Sequence, residues 1–193
     1  VTIRPIKAIA VFCGSNFGGS DVYRLGAERL GATLAAAGIT LIYGGTSKGL
    51  MGVVADATLE AGGSVHGIIT ERLHERGHSH VGLTRHEISA TLRARKERMA
   101  ELADAFIGLP GGIGTIEEFV EVWTRNQLGE IDKPAGLLDT AGFFTLFLQF
   151  IDHMVEAKFL PAAHRHSISV DADPGRLVEK LQTFKRVEVP KWL

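Results

Sequence analysis

The chain has 193 residues, 45% hydrophobic and 22% charged, which suffices for one sizeable core. Its 21 basic and 22 acidic side chains leave a formal net charge of −1, against a dedicated nucleic-acid binder but compatible with a small basic pocket for one phosphate. A single cysteine, Cys13, excludes an intrachain disulfide framework and any CxxC redox or metal site, and its place at the end of an apolar run marks it as a buried free thiol.

Short apolar runs alternate with longer helical patterns, the signature of βαβ units and a parallel sheet. A first strand over residues 6–12 runs into Gly14-Ser15 and Gly18-Gly19, and a helix follows over 20–37 with Ser20 as N-cap and Gly38 as stop. Residues 39–43 form a second strand, Gly44-Gly45 a turn, 49–61 a helix and 64–70 a third strand. The stretch 71–89 is different: it carries His74, His78, His80 and His86 with three arginines and little periodicity, and reads as a partly helical lid. Regular structure returns with a helix over 90–103, a strand over 105–109 and a helix over 115–128. A strand over 134–138, a helix over 143–157, a strand over 167–170 and an amphipathic helix over 174–185 complete the chain.

With no internal repeat or linker, residues 1–193 are expected to form one α/β domain, a doubly wound parallel sheet flanked by helices. No apolar stretch is long enough to span a bilayer and no signal-peptide pattern is present, so the cytoplasm is the expected compartment. The start at Val1 leads us to expect a few residues upstream.

The sharpest local feature is Leu109-Pro110-Gly111-Gly112-Ile113-Gly114-Thr115-Ile116-Glu117-Glu118. A strand enters a glycine turn and then a helix, whose unpaired N–H groups and positive dipole end make an anion site. In a parallel sheet this site lies beyond the carboxyl ends of the strands. Thr115-x-x-Glu118 also has capping-box spacing, so Glu118 has a structural role open to it as well as a chemical one. A carboxylate beside a phosphate is costly unless used, and glycosidic cleavage uses one, to face positive charge on the sugar and orient water. In the preceding helix Leu92, Met99 and Leu102 mark an apolar stripe on which Arg95 falls, so its guanidinium needs an anionic partner, either a carboxylate or a bound phosphate. Arg93, Lys96 and Arg98 fit a solvated face, Lys96 least firmly.

Gly14-Ser15 and Gly44-Gly45-Thr46-Ser47-Lys48-Gly49 add two polar turns to the same rim, and neither matches a dinucleotide fingerprint or a Walker A loop. The four histidines lack a regular ligand pattern, so no metal is expected. Asp104 reads as a cap or turn residue. Phe143, Phe144, Phe147 and Phe150 form an apolar face suited to the core or to a dimer seam.

Together, Phe12-Cys13-Gly14-Ser15, Tyr43-Gly44-Gly45, Gly49-Leu50-Met51-Gly52, Arg95-Lys96-x-x-Met99 and Pro110-Gly111-Gly112-x-Gly114-Thr115-x-x-Glu118 resemble the LONELY GUY (LOG) family, over about residues 7–160. The resemblance implies a Rossmann-like fold and a cytokinin-activating phosphoribohydrolase, which cleaves the N-glycosidic bond of AMP or N6-modified AMP to free base and ribose 5-phosphate. It implies no redox cofactor and a homodimer with sites near the subunit interface. It puts the catalytic roles on Arg95 and Glu118, and phosphate contacts on Gly111, Gly112, Gly114 and Thr115. Gly14, Ser15, Gly45 and Lys96 complete the expected binding set. The family's older label, lysine decarboxylase, is discounted because no pyridoxal-phosphate lysine is recognisable. The chain departs from the family pattern at Thr46, where a third glycine is common, and at Leu92-Arg93, where Met-His is common. This altered rim leaves the base and its N6 substituent unspecified.

Overall fold

Along the strand Ala8–Phe12 (β1), Ile9 and Val11 face one way and Ala10 and Phe12 the other, and all four are buried. A strand that buries both faces belongs in the middle of a sheet covered by helices on both sides, and β1 lies there. The computed structural model describes residues 3–189, so both ends of the expected domain lie outside the described residues. In chain order β1 is followed by Asp21–Ala36 (α1), Thr40–Tyr43 (β2), Gly49–Glu60 (α2), Val65–Thr70 (β3), Glu71–Glu75 (α3), Arg85–Ser89 (β4) and Leu92–Leu102 (α4). Ala105–Gly108 (β5), Ile113–Gln127 (α5), Ala135–Leu138 (β6), Thr145–Glu156 (α6), Ala162–Arg165 (α7), Ile168–Asp171 (β7) and Pro174–Gln182 (α8) complete it.

All strand pairs are parallel, in the order β4-β3-β2-β1-β5-β6-β7. The fold is therefore the expected Rossmann-like, doubly wound α/β sheet. From β1 the chain winds outward through β2 to β4 and then returns to β5 on the other side of β1. The loops after β1 and β5 thus part company, which opens a crevice at the carboxyl ends of these two strands. One core layer packs Leu30 and Leu34 of α1, Val54 of α2 and Leu177 and Leu181 of α8 against the sheet. The other packs Met99 of α4, Phe119 and Trp123 of α5 and Ile151 of α6. At Gly31 a Cβ would come within 2.7 Å of the Val54 carbonyl oxygen, so the α1–α2 crossing requires glycine there.

Ser20 caps α1 and Gly38, at φ +66°, follows its end, both as anticipated. Asp104 ties the start of β5 to β1 by accepting from the N–H groups of Lys7 and Ala8. Several expectations are corrected. The 71–89 stretch contains α3 and a seventh strand, β4, which pairs in parallel with β3. As an edge strand with Arg85 and His86 exposed, β4 lacks the apolar run by which strands are recognised. The next helix begins at Leu92 rather than residue 90, because Thr91 caps it by accepting from the Ala94 N–H. Helix α5 begins at Ile113 rather than 115, with Gly112 as N-cap, so Thr115 lies inside the first turn and no capping box forms with Glu118. A 3-10 turn over Thr140–Gly142 delays α6 to Thr145. Of the aromatic face, Phe144 is buried whereas Phe150 is 56% exposed. The short α7 was not anticipated, and α8 stops at Gln182.

Candidate active site

The glycine turn between β5 and α5 is built by contacts that only a bare backbone can make. Leu109 N–H donates to the Phe12 carbonyl at 2.9 Å and Gly14 N–H to the Pro110 carbonyl at 3.1 Å, so the loops after β1 and β5 brace one another. A Cβ at Gly111 would come 2.1 Å from Thr115 Oγ1 and 2.8 Å from Gly14 N, whereas Cβ atoms at Gly112 and Gly114 would meet nothing within 4 Å. Gly111 thus packs the loop, and Gly112 and Gly114 leave the start of α5 approachable. The first helical N–H groups have no partner inside the helix, so they and the dipole present a positive end to the crevice.

That end opens into a cavity of about 700 Å³. Gly14, Ser15, Gly112, Gly114 and Thr115 of the expected set line it, with Arg95 and Glu118. Arg95 is buried; its Nε donates to the Ile68 carbonyl oxygen at 2.9 Å, and its Nη1 lies 3.4 Å from Glu118 Oε1. The carbonyl takes one edge of the guanidinium, and the long contact to Glu118 leaves the carboxylate free to accept from other groups. Burial is the main influence on Glu118 and pushes its pKa up, against the opposing pull of Arg95. Burial likewise pushes the Cys13 thiol far up, which makes it an inert wall of the cavity rather than a nucleophile.

The remaining expected residues lie around this centre. Gly111 lines a smaller cavity of about 270 Å³ with Phe17, Tyr23 and Phe143, which shares Gly14, Ser15, Asn16 and Gly112 with the main one. Gly45, at φ +71°, sits behind the lining with its would-be Cβ against Ile68 and Ile69, so it shapes the turn. The Lys96 ammonium is held outside the lining by Glu117 and Glu121. Burial works against that charge, but the two carboxylates outweigh it and raise its pKa. Sequence reasoning did not single out Gly44, Asn16, Lys48 or His78 as site residues, and all four line the cavity, beside apolar Met51, Leu73, Leu92 and Ile113. Gly44 and Lys48 lay within a recognised polar turn. His78 carried no signal beyond its place in the histidine-rich stretch. Among the described residues no three His, Cys, Asp or Glu side chains converge where a metal could bind, and no helix is long and apolar enough to cross a membrane.

Fold and site define a Rossmann-like protein with an open helix N-terminus at its topological switch point, beside a buried arginine and a partly buried glutamate. Known proteins narrow this. The family model described as "Possible lysine decarboxylase" matches residues 51–181. The chain is 42% identical over 193 residues to the probable cytokinin riboside 5'-monophosphate phosphoribohydrolase LOGL2 of Oryza sativa subsp. japonica, spanning 96% of this chain and 78% of that one. It is 43% identical over 180 residues to the cytokinin riboside 5'-monophosphate phosphoribohydrolase LOG1 of Arabidopsis thaliana, spanning 92% and 84%. The chain belongs to the LOG family. Its fold is also that of the molybdenum cofactor carrier protein of Chlamydomonas reinhardtii, with a TM-score of 0.68 and 20% identity over 91% of this chain and 94% of that one, a likeness of fold alone.

Proposed function

We propose that this chain hydrolyses the N-glycosidic bond of an N6-modified adenosine 5'-monophosphate, releasing the free base and ribose 5-phosphate. The observation that carries the reading is the placement of the Arg95–Glu118 pair in the same cavity as the open N-terminus of α5. The N–H groups of residues 111–115 and the Thr115 hydroxyl hold the 5'-phosphate, with Gly14 and Ser15 closing the other side. Arg95 fixes the carboxylate and the ribose-phosphate end. Glu118 faces the cationic character that develops at C1' as the bond to the base stretches, and orients the attacking water. Lys96, engaged by Glu117 and Glu121, steadies α5 from outside the cavity. Water is the only co-reactant, so the step calls for no redox cofactor.

Met51, Leu73, Leu92 and Ile113 give the cavity an apolar side, which favours an apolar N6 substituent over plain AMP. Residues 1–193 act as one catalytic domain in the cytoplasm, without a nucleic-acid partner. The chain works as a homodimer through the exposed apolar residues Leu146, Phe150 and Phe159 on and beside α6. A phosphate anchored at a helix start sets a clear requirement on substrate. Base release from AMP should exceed that from adenosine by about 100-fold or more in kcat/KM, because the remote phosphate contacts position the reacting bond. Equal rates on the two, followed chromatographically, would remove the anion site from the mechanism.

A further inference from the structure

Breaking the bond from C1' to the base leaves an electron pair on the base, and a neutral purine accepts it readily only when protonated. Glu118 is committed to the ribose side, and the Cys13 thiol holds its proton too tightly to serve. The geometry points to His78 as the acid that protonates the departing base. This inference rests on the phosphoribohydrolase reading and adds to it the donor that the reaction requires.

His78 lines the main cavity on a segment pinned to the loop after β2. Thr46 and Ser79 form an antiparallel bridge, and Ser47 N–H donates to the His78 carbonyl at 3.4 Å. His80 N–H donates to the Gly45 carbonyl at 2.9 Å. The His80 imidazole, 8% exposed, places Nε2 2.8 Å from Asp56 Oδ1 of α2 and so clamps the segment down. Sheet order then sets the direction across the cavity. The phosphate anchor follows β5, and the His78 segment sits beyond β2 and β3, two to three strands away, or roughly 10–14 Å at the usual spacing. A nucleoside monophosphate laid from anchor to clamp places its ribose over the β1 loop beside Glu118 and its base toward His78. An imidazolium carries a proton on each ring nitrogen and can donate either one to a hydrogen-bonded base nitrogen. The charged groups that share the cavity are Lys48 at the start of α2, Arg95 on α4, and Glu117 and Glu118 on α5, while His74 and His80 flank it on its own segment.

The step balances without a further reactant. The imidazolium of His78 gives its proton to a ring nitrogen of the base as the bond from C1' breaks and its electron pair moves onto the base. A water oxygen bonds to C1' and loses its proton to the Glu118 carboxylate. Solvent then carries that proton back to His78.

A leaving group that departs without a proton separates this role from any other. His78→Gln and His78→Asn are compared with wild type on AMP and on 4-nitrophenyl ribofuranoside 5-phosphate, whose nitrophenolate needs no protonation. The expected result is a fall of about 100-fold or more in kcat/KM on AMP, with the nitrophenyl compound within about threefold of wild type. The retained activity also shows that the variants are folded. Equal losses on both compounds, or no loss on either, would overturn the assignment. Wild-type turnover of AMP without turnover of the nitrophenyl compound would count against it too, since both use the same ribose chemistry. Wild type inert towards both would instead sink the phosphoribohydrolase reading itself.

Discussion

Glu118→Gln is expected to lower base release from AMP by about 100- to 1000-fold while nucleotide still binds, because the phosphate anchor is untouched and only the developing charge at C1' loses its partner. The amide keeps the shape of the side chain and still meets Arg95 Nη1, which also retains the Ile68 carbonyl through Nε. The effect on stability runs the other way. Burial raises the Glu118 pKa, so the folded protein binds this proton more tightly than the unfolded chain does. That preference stabilises the fold below the ordinary glutamate pKa of about 4.3 and is lost as pH rises through the higher folded value. Above that folded value the ionised carboxylate is a net burden, and the melting temperature of Glu118→Gln measured there should not fall below wild type. The pH profile of wild-type kcat should show an acid limb above the ordinary glutamate range, and Glu118→Gln should abolish that limb. A Glu118→Gln protein of near-normal activity would contradict the assignment.

A methyl group at position 44 should do comparable damage from outside the expected catalytic pair. At Gly44 a Cβ would stand 1.8 Å from Arg95 Nη2, 3.0 Å from its Cζ and 2.2 Å from the Met51 terminal methyl. Arg95 is buried and bonded to the Ile68 carbonyl, so the guanidinium cannot yield without leaving its place beside Glu118. Gly44→Ala is thus expected to reduce kcat/KM by about 100-fold, as removal of a preorganised cation would. Because Gly44 lies outside the positive-φ region and its neighbours here are side-chain ends, the fold should survive. Circular dichroism alongside kinetics of Gly44→Ala and Arg95→Ala tests this: similar activity losses in two folded proteins are expected, and a fully active Gly44→Ala would show that the guanidinium is not held where the structure puts it.

Much of this architecture can be read in the residues because both faces of most strands are buried. Apolar runs mark β1, β2 and β5, and Val65, Ile68 and Ile69 mark β3 around His66 and Gly67, while the glycine stops and Ser20 mark the ends of α1. β4 escapes such a reading because an edge strand needs no apolar face, and Arg85, His86 and Glu87 look like a loop. The start of α5 is misplaced because Ile113, which is 89% exposed, and Gly114 carry no helical pattern. Arg95 can be placed inward from its spacing to Met99, although Leu92 of the same expected stripe is 54% exposed, and the glycine turn can be read from its composition. His78 stands in the cavity for a reason that no local spacing contains: the strand order carries its loop over the same crevice as α5. The bond from Arg95 to the Ile68 carbonyl depends likewise on α4 packing over β3.

The most direct test of the central claim is product chromatography of the purified wild-type protein with AMP and with N6-isopentenyl-AMP. The expected result is free base and ribose 5-phosphate in equal amounts from both, faster from the isopentenyl nucleotide because of the apolar side of the cavity. Nucleotide that binds and is recovered intact in both cases would contradict the account and make the chain a nucleotide-binding module without turnover.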